Sequence, residues 1–240
     1  MNKNNFPLLD KLAHGFVSSC QPVDGGPMDK PSIVAAMAAA SIAGGASGLR
    51  IEGVENLKAV RPLVSVPIIG IIKRDLIDSD VRITPFIEDV IALKEAGADI
   101  IAIDATNRAR PTEVTTLVDK IHELGCLVMA DCSNYDEGMA AFKLDVEIIG
   151  TTMSGYVSGS VPTEPDFPFI TRLAEQGCFV MAEGRFNSPE LAGAAIKAGA
   201  SCVTVGSAIT RVEHICQWFD NAVRNAKTDD TIPENMEAIA

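Results

Sequence analysis

The chain has 240 residues, of which 47% are hydrophobic and 22% charged, an ordinary globular composition with ample apolar material for a large core. Its formal net charge of −12 argues against a nucleic-acid or anionic-membrane surface, because the long-range field repels both, and any anionic ligand must be held by locally placed cations. No run approaches the roughly 18 apolar residues of a membrane span, and the opening "MNKNNFPLLDKLAHG" lacks a signal-peptide core, so a cytoplasmic protein is expected.

In chain order, apolar runs of strand character fall at residues 14–20, 48–53, 67–73, 99–105, 126–132, 146–152, 178–184 and 201–207. Such short, continuous apolar runs suit strands covered on both faces, as in a parallel sheet. Between them lie segments of helical period, clearest at residues 87–97, 113–125, 168–177 and 189–199, each ending on a glycine. A phrase repeats as well: "EAGADIIAID", "ELGCLVMAD", "EQGCFVMAEG" and "KAGASCVTVGS" all read helix end, glycine, strand. Eight strand–helix units of about 30 residues predict an α/β fold, a (β/α)8 TIM barrel forming a single domain over residues 1–240. An open doubly wound sheet would show a glycine-rich fingerprint after its first strand, where "CQPVDGG" stands instead. The polar, proline-containing residues 227–240 are expected to fray.

The six cysteines lie mostly in or beside apolar runs without CxxC spacing, and the three histidines are scattered, so buried reduced thiols and structural imidazoles are expected, not a metal site. Function in a barrel gathers at the carboxyl ends of the strands. There the chain places Gln21, Arg50, Glu52, Lys73 with Arg74 and Asp75, Asp104, Asp131, Thr151, Thr152, Glu183, Gly184, Arg185, Gly206 and Ser207. Singly these are ordinary loop residues, but convergence of amine, guanidinium and carboxyl groups on one rim points to a site.

Two features stand out. The turns after the seventh and eighth strands, "AEGRFNSPE" and "VGSAITR", supply Gly184, Arg185, Gly206, Ser207 and Arg211, a composition suited to gripping a phosphate through backbone N–H groups and arginine forks. Lys73 ends an apolar strand, where desolvation and neighbouring cations such as Arg50 would lower its pKa and make it a general base. A Schiff-base lysine or a structural ion pair are the alternatives.

The segments "VSSCQPVDGGPMDKP", "LRIEGVENL", "VPIIGIIKRDLIDS", "ADIIAIDATNRARP", "ADCSNYDEG", "EIIGTTMSGY", "AEGRFNSPE" and "VTVGSAITRVEHICQW" together resemble the N-acetylmannosamine-6-phosphate 2-epimerases of bacterial sialic-acid catabolism. The resemblance spans nearly the whole chain and implies a (β/α)8 barrel that interconverts N-acetylmannosamine 6-phosphate and N-acetylglucosamine 6-phosphate at carbon 2, without metal or other cofactor. It implies Lys73 as the base and Glu183 as its partner acid. Gln21, Arg50 and Asp131 then orient the sugar, and Gly184, Arg185, Gly206 and Arg211 grip the phosphate. A homodimer acting on a small amino-sugar phosphate is expected. Val212 after Arg211, and Asn134-Tyr135 after "DCS", depart from the family pattern outside the proton-transfer pair. A different sugar-phosphate isomerase, a lysine Schiff-base aldolase and a non-catalytic sugar-phosphate sensor are the competing functions; the sensor has no need of both Lys73 and Glu183.

Overall fold

The computed structural model describes residues 7–157, 159 and 161–226. Eight strands, β1 (Phe16–Cys20), β2 (Gly48–Glu52), β3 (Ile68–Ile71), β4 (Ile100–Asp104), β5 (Leu127–Asp131), β6 (Ile148–Gly150), β7 (Val180–Glu183) and β8 (Cys202–Val205), pair in parallel and in sequence order. The sheet closes where β8 pairs with β1, setting Val17 opposite Thr204, so the expected barrel forms and has no free edge. The expected fraying of residues 227–240 lies outside the described residues. Among those described, no helix is long and apolar enough to cross a membrane.

The period-2 alternation of the strands sorts their side chains onto two surfaces. Outward residues such as Leu49, Ile51, Ile101, Ile103, Val128 and Val180 pack beneath the helices. Inward residues change character along the axis. The lower part of the barrel is filled by Leu12, Val17, Ile69, Ile100, Leu127, Ile148 and Met181. Above this plug the inward positions become Arg50, Asp131, Glu183 and Thr204.

The outer layer includes α1 (Pro7–Leu12), α2 (Pro31–Ala43), α3 (Val54–Val60), α4 (Ile87–Glu95), α5 (Val114–Glu123), α6 (Tyr135–Lys143), α7 (Phe167–Glu175) and α8 (Pro189–Lys197), followed by a one-turn α9 (Ser207–Thr210) and α10 (Val212–Ala226). Side chains cap several starts: Asn134 accepts from Glu137 N, Asp166 from Phe169 N and Ser188 from Leu191 N. Four helices stop two residues before the glycines that were expected to close them. Gly97, Gly125, Gly177 and Gly199 all have φ between 71° and 104°, so the glycine itself steps out of the helix and turns the chain into the next strand.

One element differs from expectation in a way that shapes the site. The third strand ends at Ile71, and Lys73 instead forms an antiparallel bridge with Ile83, folding the β3–α4 connection back over the barrel mouth. Helix α10 buries none of its residues and leaves Val212, Trp218, Phe219 and Val223 exposed. Of the six thiols five are buried as expected, whereas Cys216, on α10, is exposed.

Candidate active site

Above the apolar plug lies a cavity of about 440 Å³ opening at the carboxyl ends of the strands. Its floor is an ion cluster. Arg50, 1% exposed, donates from Nη2 to Asp131 Oδ2 at 2.6 Å, and from Nη1 to Asp131 Oδ1 at 3.1 Å and Glu183 Oε2 at 3.0 Å. Thr152 donates to Asp131 Oδ1 at 2.5 Å. A bidentate guanidinium–carboxylate pair in so dry a place fixes geometry strongly, and removal of either partner would leave a bare buried charge.

Glu183 lines the cavity beside this pair, and its carboxyl is pushed up to about 7. Burial is the main cause, Arg50 opposes it, and the negative charge of Asp131 reinforces it. The ammonium of Lys73 lines the same cavity and is shifted the other way, lowered first by burial and next by the Arg211 guanidinium, with Arg50 a smaller contributor. Its backbone N–H donates to Glu52 Oε1 at 3.3 Å, which ties the end of β3 to that of β2. Among the described residues no carboxylate makes a salt bridge with the Lys73 ammonium, so the structural ion-pair alternative has no partner here.

The β7 and β8 turns form the opposite wall. Gly184 has φ of 104°, a backbone setting that side chains resist, and Gly206 precedes the single turn of α9. Arg211 donates from Nε to the carbonyl of Gln21 at 3.1 Å, and Gln21 donates from Nε2 to Ser19 Oγ at 2.7 Å; all three line the cavity. Arg185, itself at φ of 65°, also lines it but donates to the carbonyls of Glu164 and Ser154 at 2.7 and 2.5 Å and lies over the Tyr156 ring. Its guanidinium is largely engaged in holding the β6–α7 connection.

Eight of the nine residues to which the resemblance gives roles therefore line one cavity: Lys73, Glu183, Gln21, Arg50, Gly184, Arg185, Gly206 and Arg211. Asp131, expected to contact the sugar, is the exception. It is 0% exposed behind Arg50 and does not line the cavity, because both its oxygens are taken by Arg50 and Thr152. Arg74 and Asp75 also fall outside the lining: Arg74 pairs with Asp89, and Asp75 with Arg82. Asp104 lines the cavity but is held by Arg108 at 2.6 Å and Thr106 at 2.6 Å. Tyr156, Arg82, Arg108, Ser19 and Thr204 also line the cavity and were not singled out from the sequence. Strand alternation alone would have placed Ser19 and Thr204, each two residues before a rim position, on the inward face.

The sequence model of the family described as "Putative N-acetylmannosamine-6-phosphate epimerase" matches residues 34–225. The chain belongs to this family. Among curated relatives it is 73% identical over 227 residues, 95% of this chain and 97% of the other, to a protein of Aliivibrio fischeri strain ES114 named "Putative N-acetylmannosamine-6-phosphate 2-epimerase". A Photobacterium profundum protein of the same name is 70% identical over 94% of this chain and 96% of its own. Among solved structures, the N-acetylmannosamine-6-phosphate 2-epimerase from Clostridium perfringens superposes with a TM-score of 0.87 at 36% identity, covering 92% of this chain and 98% of that one.

Proposed function

We propose that this protein interconverts N-acetylmannosamine 6-phosphate and N-acetylglucosamine 6-phosphate in sialic-acid degradation, acting in the cytoplasm. The observation that carries this reading is one cavity lined by an amine whose pKa burial and the Arg211 charge lower from its ordinary value and a carboxyl raised to about 7. Each shift moves its group toward the protonation state that proton transfer needs near neutral pH.

The hydrogen on carbon 2 becomes acidic only next to an aldehyde, so the sugar ring opens first. The neutral Lys73 amine then takes that proton and becomes an ammonium, leaving an enolate whose oxygen receives the proton of Glu183. Delivery of a proton to the opposite face of carbon 2 completes inversion, the Lys73 ammonium giving up its proton to that carbon or to solvent and the oxygen's proton going back to Glu183. Arg50 stands at the same floor as a fixed positive charge that needs no reorganisation when the enolate forms. Asp131 serves by holding Arg50. The phosphate goes to the wall of Gly184, Gly206 and Arg211, while Arg185 shapes that wall; Gln21 holds the arginine and faces the sugar. Binding energy gathered at the phosphate keeps the flexible open chain in register with the reacting carbon. A second copy of this chain covers the apolar side of α10, giving a homodimer.

Proton NMR of the purified protein with N-acetylmannosamine 6-phosphate in heavy water tests the reaction. Deuterium at carbon 2 should appear together with the epimer; epimer without deuterium removes solvent-exchanging proton transfer. The aldolase alternative is checked by borohydride with substrate, where covalent capture at Lys73 would count against simple proton abstraction.

A further inference from the structure

Towards the mouth of the barrel the third strand changes partners. Lower down it pairs with β4, Ile69 with Ile100 and Gly70 with Ile101. Past Ile71 the chain instead bonds a segment returning from the β3–α4 connection. Thr84 N–H donates to the Ile72 carbonyl at 2.7 Å and Arg74 N–H to the Arg82 carbonyl at 2.9 Å, flanking the bridge between Lys73 and Ile83. On its other side the same segment accepts the Asp104 N–H at the Ile83 carbonyl, at 3.0 Å, so residues 82–84 stand as a wedge between β3 and β4. Ile83 lines the cavity from this wedge, and Lys73 turns its own N–H to Glu52 on β2.

Thr84 holds the wedge in place. It is 0% exposed, and its φ of 48° lies in the left-handed region, where a β-branched side chain is an outlier and glycine or asparagine would stand with less strain. The backbone angle therefore does not select threonine, and strain of this kind persists only where neighbouring contacts enforce it. The contact is with the residue before Lys73: Oγ1 of Thr84 accepts the Ile72 N–H at 3.3 Å, so with the bond to the Ile72 carbonyl it holds both backbone groups of that residue. On the far side of Lys73, Arg74 donates from Nε to both oxygens of Asp89 in α4, at 2.9 and 3.0 Å. Lys73 is thus clamped on both flanks.

On the reading of Lys73 as the base, we propose that Thr84 is its positioning residue. The hydroxyl and left-handed backbone of Thr84 lock the wedge against Ile72 and so aim the Lys73 amine into the cavity. The charges that act on the amine are Arg50 and Glu52 on β2, Asp24 in the β1–α2 connection, Glu183 on β7 and Arg211 before α10. Substituting the uncharged Thr84 alters none of them, so it reaches Lys73 only by moving it.

Carbon-13 NMR titration of lysine-labelled protein, with the Lys73 signal assigned by Lys73→Ala, follows the amine directly, alongside kcat and KM for N-acetylmannosamine 6-phosphate against pH. Burial is the main cause that lowers Lys73, so an amine released towards water moves up; because the neutral amine is the active form, the acid limb of kcat/KM moves up with it. Thr84→Val keeps the shape and loses the oxygen. Its Lys73 midpoint should rise by about half a pH unit or more, and kcat/KM at pH 7 should fall about threefold or more, the loss lying in kcat and not in KM. Thr84→Ser, which keeps the oxygen, should hold the wild-type midpoint. A midpoint that Thr84→Val leaves in place overturns the proposal whatever the Tm, and so does one that serine moves as far as valine. If valine does not fold, Thr84→Gly, which suits the backbone angle, decides by the same midpoint. Turnover surviving in Lys73→Ala would sink the base reading instead, and the NMR midpoints would still decide whether Thr84 sets the amine.

Discussion

Lys73 and Glu183 carry different burdens, and substitutions separate them. Lys73→Ala removes the proposed base while leaving the Gly206 and Arg211 wall untouched, so turnover should fall by at least about a thousandfold, toward the upper range for one acid–base group, while sugar-phosphate binding by calorimetry persists. Arg211→Ala should do the converse, raising KM more than it lowers kcat. The burial of Glu183 also couples stability to pH. Its ordinary value of 4.5 rises to about 7 in the fold, so its contribution is full below pH 4.5 and is lost as pH rises through 7. The Tm of Glu183→Gln minus that of wild type should therefore increase between pH 5 and pH 8 in calorimetric scans; a flat difference would mean that the carboxyl is not raised. Lys73 and Glu183 were legible in the sequence because they end apolar runs on a rim where other charges converge, and Arg211 because it follows the glycine turn after the eighth strand. Ser19 and Thr204 were passed over because a hydroxyl residue inside a strand reads as ordinary sheet composition, although strand alternation sets both on the inward face. Asp131 was legible as important but not as buried: sequence shows that a carboxylate ends a strand, not that two neighbours occupy both its oxygens.

The eight strands and the four helices closed by glycine were readable, since apolar runs and closing glycines are local signals, and the errors cluster where long-range contacts decide. The β3–α4 connection is one such place, because the bridge between Lys73 and Ile83 depends on where residues ten apart meet. Strand β3 itself shows how closely the two layers fit. A Cβ added at Gly70 would come within 3.0–3.1 Å of Ala98, Leu57 and Leu93, side chains of the outer layer. Gly70→Ala should cost about 1–3 kcal/mol by overpacking, a fall in Tm of roughly 2–4 °C per kcal/mol for a chain this size. Gly70→Ala with Leu93→Val should recover part of that loss, whereas additive losses would show that the strand has moved aside instead.

Over the whole molecule the fold was the easiest thing to foresee, eight repeats of one unit allowing few alternatives, and the state of assembly the hardest. Helix α10 is the reason. Its sequence looks like any amphipathic helix that would pack on a barrel, yet none of its residues is buried within the chain. With a second copy of the chain covering it, Phe219→Glu should turn a dimer into a monomer in light scattering while leaving the barrel folded by circular dichroism; a wild-type monomer at working concentrations would refute that assembly. The apolar plug bears on traffic through the enzyme. Hydrocarbon from Leu12 to Met181 seals the far end of the barrel, so reactant and product must share a single doorway. Each hexosamine phosphate therefore blocks entry of the other, and turnover in either direction waits on departure through the mouth that admitted the molecule.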